Sequence, residues 1–161
     1  TPVGDVTLIS VSRSPITSES ASVATRALAL ARENATLTGL AERVLFAESE
    51  GCGEFDPASV DVLVSNPPYI PSQTVDGLER HIRDHEPRLA LDGGPDGLRV
   101  YRALLLDAVM VLKAGGGVFF EIGDDQGPAL RTLLEEHGFS EVAIHRDYAG
   151  RDRFAVGVLN D

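Results

Sequence analysis

The stretch Val60-Asp-Val-Leu-Val-Ser65, followed at once by Asn66-Pro-Pro-Tyr69, decides how this chain is read. Apolar, β-branched residues over positions 60–65 predict a buried strand. Pro67 and Pro68 cannot donate to a sheet ladder, so the strand must stop before them. In open α/β sheets ligands lie beyond the carboxyl ends of the strands. Asn66 to Tyr69 fall at such an end, which makes them the first candidate site.

Upstream, Val6 to Val11 reads as another strand and Ser12 to Ser20, with Pro15, as a loop. Ser18 or Ser20 can cap a helix through Ala27, Leu28, Ala31 and Ala35 that stops at Gly39. Arg43 to Glu48 is expected to be a strand and Glu50 to Gly53 a turn. Downstream, residues 69–97 read as a loop with one short helix near Val75 to Arg83. Tyr101, Leu104, Leu105, Ala108 and Leu112 then share one helical face, and Gly115 to Gly117 are expected to end that helix. Val118 to Ile122 is a strand, Pro128 to His137 a helix closed by Gly138. Two last strands lie around Val142 and Ile144 and around Phe154, Val156 and Val158. The order β-α-β-β-α-β-α-β-β predicts an α/β fold with a mainly parallel sheet and an antiparallel hairpin at its C-terminal edge.

With 161 residues the chain suits one domain, residues 1–161. Lys plus Arg total 14 against 25 Asp plus Glu, a formal net charge of -11. Such a surface repels phosphate backbones and speaks against a nucleic-acid binder held by basic patches. The single cysteine, Cys52, excludes an internal disulfide and a multi-cysteine zinc site. His81 and His85 stand four residues apart but no third ligand is suggested, so no metal is expected. Apolar runs such as Ala108 to Leu112 are far too short to span a bilayer, and the expectation is a soluble intracellular domain.

The candidate segment has readable chemistry. Its prolines hold the backbone extended and remove two N–H donors, so nearby carbonyls face outward without a competing donor. Asn66 adds a side-chain carbonyl and Tyr69 a flat face. Together they form a slot that accepts two hydrogen bonds from a planar NH2 group. An amide or aromatic amine has a delocalised, weakly nucleophilic nitrogen, and two acceptors would orient it and raise its electron density.

Asn66-Pro-Pro-Tyr69 resembles motif IV of class I S-adenosylmethionine-dependent amino-methyltransferases. The longer pattern Val64 to Pro71, Glu86-Pro87, Ala90-Leu91, Gly93-Gly94 and Asp96-Gly97-Leu98 is similar to the HemK/PrmC family. Glu121-Ile-Gly123 with Gln126, and Asp147-Tyr-Ala-Gly-Arg151 with Arg153, extend that likeness to roughly residues 24–158. The family methylates the glutamine of the Gly-Gly-Gln loop of peptide-chain release factors. The resemblance therefore implies a Rossmann-like class I sheet, S-adenosyl-L-methionine as cofactor and a release factor as protein partner. It places the glutamine amide on Asn66 and the Pro67 carbonyl, beside Pro68 and Tyr69, with Asn66 also against the cofactor, and the adenine amino group on Glu50. The Glu86 to Leu98 segment would border the substrate entrance, although its glycines read equally as turn residues leading into a helix.

The chain also departs from the family. No Asp-x-Gly-x-Gly-x-Gly turn stands before residue 39, so the first strand, its glycine turn and the amino-terminal helical domain are expected to be missing. Ser12, in Val11-Ser-Arg-Ser-Pro15, takes the place of the acid that binds the ribose. Activity of these residues alone is thus open. The alternatives are an amino-methyltransferase of adenine or guanine, which the net charge disfavours, and a cofactor-less remnant without catalysis. The compartment implied is the bacterial cytoplasm or the mitochondrion.

Overall fold

The computed structural model describes residues 18–46, 49, 51–53, 55–83 and 85–161. A long helix α1 (Ser18–Leu37) opens them. It ends in a Schellman turn: Gly39, at φ +70°, donates to the Thr36 carbonyl, and the Leu40 N–H reaches the Ala35 carbonyl at 2.8 Å. A short 3-10 turn, Ala41–Arg43, follows, and residues 44–46 form no strand. The expected strand at Arg43 to Glu48 is thereby corrected over its described residues, because no neighbouring strand pairs with them. The expected strand at Val6 to Val11 lies outside the described residues.

Among the described residues four strands form one sheet: β1 (Val60–Ser65), β2 (Leu112–Glu121), β3 (Phe139–Arg146) and β4 (Asp152–Leu159). Their spatial order is β1-β2-β4-β3, with β1 and β2 parallel and the other two pairs antiparallel. The described sheet is therefore mixed rather than mainly parallel, while the closing antiparallel hairpin stands as expected. Between β1 and β2 run three single-turn helices, α2 (Ser72–Val75), α3 (Arg80–Arg83) and α4 (Arg88–Leu91), and the longer α5 (Arg99–Val111). Helix α6 (Gly127–Glu136) links β2 to β3.

The apolar spacing read over Tyr101 to Ala108 is that of the buried face of α5, whereas Leu112, expected on the same helical face, is the first residue of β2. Val100, Tyr101, Leu104, Leu105, Ala108 and Val111 join Leu63 of β1, Val118 and Phe120 of β2, Ala155 of β4 and Leu130 and Leu134 of α6 in one core. Each fully buried large aliphatic side chain contributes about 1.5–3 kcal/mol. Tyr101 packs tilted on Phe120, ring centroids 5.7 Å apart, and its hydroxyl donates to the Glu121 carbonyl at 2.6 Å. The alternate residues Val62, Val64 and Phe119 point away from this core and are exposed. Among the described residues no helix is long and apolar enough to cross a membrane.

Candidate active site at the carboxyl end of the first described strand

Strand β1 delivers Asn66 to the sheet's carboxyl edge, where its side chain is exposed. Pro67 and Pro68 are buried behind it, and Tyr69 is half-buried. Sequence reading placed these four residues together as neighbours in the chain; the fold adds what holds them.

Two braces do so. The first is the returning segment that precedes α5. Ile70 donates to the Leu91 carbonyl at 2.9 Å, and Gly93 donates to the Ile70 carbonyl at 2.8 Å, a short parallel bridge between residues 70 and 92. Gly93 is a close-approach glycine. A β-carbon there would stand 2.7 Å from the Tyr69 Cα and 2.8 Å from the Pro68 carbonyl oxygen. Gly97, at φ +75°, likewise has the Tyr69 carbonyl oxygen where a side chain would begin. The glycines of the 86–98 segment are turn residues leading into α5, and the turn packs on the backbone of the candidate site.

Asp92 pins the same turn. It accepts the Ser72 hydroxyl at 2.6 Å and the Gly94 N–H at 2.9 Å, and Arg88 lies 3.3 Å away. Burial works against its charge, but the Ser72 and Gly94 hydrogen bonds and Arg88 outweigh that and hold the carboxyl below its ordinary range.

The second brace is Gln126, just ahead of α6. It is buried and donates to the Tyr69 carbonyl at 3.1 Å and the Gly97 carbonyl at 3.3 Å, while its oxygen accepts the Gly123 N–H at 2.9 Å. On the other side of Tyr69, the phenol lies 3.5 Å from Glu121 Oε1 at the end of β2. Desolvation and the Glu121 carboxylate raise the Tyr69 pKa, with Arg153 acting in the opposite sense, so the phenol is neutral at physiological pH. Arg153 is itself held by Asp147 at 3.4 Å and donates to the Ile122 carbonyl at 3.3 Å. The arginine thus serves the fold by joining the β3–β4 turn to the end of β2.

Gln126, Glu121 and Arg153 were not singled out as site residues from sequence. The signal available was their place in the wider family pattern, which gave them no role, since the contacts to Tyr69 and Gly97 lie far away in the chain. The structure leaves the cofactor half untested: Ser12 and Glu50 lie outside the described residues. Cys52 is fully buried and its thiol is pushed up to about 11, chiefly by burial, so it is inert. Its N–H donates to Asp107 at 3.1 Å, which ties the turn after the unpaired segment to α5. His81 and His85 are exposed, and among the described residues no group of His, Cys, Asp or Glu could hold a metal ion. Glu86 is also exposed.

A parallel β1–β2 pair, a site loop beyond its carboxyl end and an antiparallel closing hairpin define a Rossmann-like class I methyltransferase fold. An S-adenosylmethionine-dependent methyltransferase, SibL, solved in its apo form, superposes with a TM-score of 0.52 at 15% identity, over 97% of this chain and 43% of that one. No family model matches the chain. Its sequence is 46% identical over 134 residues to the release factor glutamine methyltransferase of Caulobacter vibrioides, covering 83% of this chain and 46% of that protein. It is 47% identical over 128 residues to that of Moorella thermoacetica, 79% of this chain and 45% of that protein. Over the matched residues the chain is thus similar to release factor glutamine methyltransferases. It spans about half the length of these relatives.

Proposed function

We propose that residues 66–69 form the acceptor half of a site that methylates a glutamine side-chain nitrogen, the glutamine being that of the Gly-Gly-Gln loop of a peptide-chain release factor. The observation that carries this reading is an exposed Asn66 at the carboxyl end of β1, backed by buried prolines and a doubly braced Tyr69. Likeness to release factor glutamine methyltransferases narrows the planar NH2 group from any amine to a glutamine amide. The activity of those relatives also points to the partner, a release factor.

In this scheme Asn66 Oδ1 and the Pro67 carbonyl accept the two amide N–H groups, and Tyr69 packs against the amide plane. Amide conjugation withdraws the lone pair from nitrogen. Two acceptors on its hydrogens return electron density and fix the direction of attack, a gain realised only as the new N–C bond forms. Proline backbone supplies rigid acceptors that do not reorganise during the reaction. Bound S-adenosyl-L-methionine would supply a sulfonium-activated methyl group: the S–C bond breaks as the N–C bond forms, S-adenosylhomocysteine leaves, and the methylated nitrogen gives up one proton to water, so no strong base is needed before transfer. The polar atoms offered by residues 66–68 are neutral carbonyl oxygens, which suit a cationic donor better than a lysine or arginine would. Asn66 would border the cofactor's methyl end while adding little to its affinity; Ser12 and Glu50 are the proposed ribose and adenine contacts. The net charge of -11 favours a protein over a nucleic-acid substrate.

The test is incubation of the chain with S-adenosyl-L-methionine and a release factor, followed by fragment mass mapping. One added methyl on the glutamine of Gly-Gly-Gln supports the reading. A release factor left unmodified, or methyl groups on adenine or guanine of added nucleic acid, contradicts it.

A further inference from the structure

Gln126 does more than fill space ahead of α6. Its side chain joins three pieces of chain: the end of β2 through Gly123, the turn before α5 through Gly97 and the candidate site through Tyr69. A neutral amide has two N–H donors and a carbonyl acceptor, and here each finds a partner inside the protein. The orientation of the amide is fixed by those partners, since two carbonyls need donors and one N–H needs an acceptor. At 7% exposure the group has little water to fall back on.

We propose, resting on the reading that residues 66–69 hold the substrate amide, that Gln126 is the positioning residue that sets where that amide is held. It touches neither substrate nor cofactor in this scheme. It acts through the Tyr69 carbonyl, the downstream anchor of the segment. Pro67 and Pro68 have fixed φ, so the segment has few backbone rotations with which to absorb a shift at Tyr69. A displacement there moves the Pro67 carbonyl and the Asn66 side chain together. The second bond, to Gly97, ties the same nitrogen to the turn that lies on the Tyr69 backbone, so turn and site move as one piece. Gly93 and Gly97 permit that close approach, and Gln126 locks it.

Gln126→Met keeps the length of the side chain and removes all of its donors and its strong acceptor. In the full chain, the Ile70, Gly93 and Gly97 amide hydrogens should exchange at least about tenfold faster, while those of Val118 and Phe120 in the middle of β2 stay protected. Under methyl-transfer conditions kcat should fall about 100-fold, as a misplacement near 1 Å does, with the KM for the release factor changed less than about threefold. Leu134→Ala, a core truncation in α6 away from the site, controls for lost stability and should keep kcat well below its melting temperature.

Unchanged exchange at Ile70, Gly93 and Gly97 in Gln126→Met overturns the proposal. So does a loss of kcat that Leu134→Ala reproduces at equal stability. If the unmodified chain methylates no glutamine, the functional reading fails, and the exchange comparison still decides whether Gln126 braces the segment.

Discussion

At the scale of single residues, the candidate site depends on two positions that carry no side chain. Gly97 takes φ +75° with the Tyr69 carbonyl oxygen directly over its missing β-carbon. Gly97→Ala must therefore adopt a strained backbone or push the turn off Tyr69. It is expected to destabilise the fold by about 1–3 kcal/mol in urea denaturation, and a variant as stable as the parent would show that the turn is not held. Asn66 to Tyr69 were legible in the sequence because their chemistry is local: a strand, two prolines and an acceptor lie within ten residues. Gln126 was not legible in that sense. Its partners Tyr69 and Gly97 lie 57 and 29 residues upstream, and no local pattern distinguishes a bracing amide from a surface one.

Among the elements, α5 and β2 show where periodicity succeeds and where it stops. The spacing of Tyr101, Leu104, Leu105 and Ala108 predicted the buried face of α5, and all four are buried. Leu105→Ala should cost about 2–5 kcal/mol, read as a lower denaturation midpoint with an unchanged slope. The start of β2 was missed, because Gly115 to Gly117 read as a helix stop with the strand beginning at Val118. In the structure the strand starts at Leu112 and the glycines lie within it. A β-carbon on Gly116 would come within 2.8 Å of the Lys113 carbonyl oxygen and 3.1 Å of the Asp61 carbonyl oxygen. The glycines thus allow the register shift between β1 and β2, a constraint visible only once both strands are in place.

The entry to α5 is also sensitive to acid. The Arg102 guanidinium, followed by the Leu98 N–H, holds the Asp96 carboxyl at about 2 against an ordinary value of 3.8. A depressed folded-state pKa contributes stability above the unfolded value and loses it as pH falls through the folded one. Both side chains of the pair are about half exposed, 47% and 48%, so solvent screens it. Asp96→Asn should lower stability at pH 7 by at most about 1 kcal/mol. The difference between variant and parent should close as pH drops from 3.8 toward about 2. A gap that persists at pH 2 would assign the loss to something other than the charge.

At the scale of the whole molecule, the described part of this class I methyltransferase fold is one sheet, one core and a braced loop at the sheet's carboxyl edge. Its α/β class and closing hairpin followed from the order and periodicity of the elements. The strand expected at Arg43 to Glu48 did not form over its described residues, because an apolar run becomes a strand only beside a partner. The central claim is that Asn66 orients the substrate amide and has little part in holding the cofactor. The most direct test compares Asn66→Ala with the parent chain in two readings: the rate of methyl transfer to the glutamine of a Gly-Gly-Gln release factor, and calorimetric affinity for S-adenosylhomocysteine. The predicted result is transfer reduced by about 100-fold or more with affinity within about threefold. Transfer that survives the substitution, or a rate and an affinity that fall together, would contradict the account.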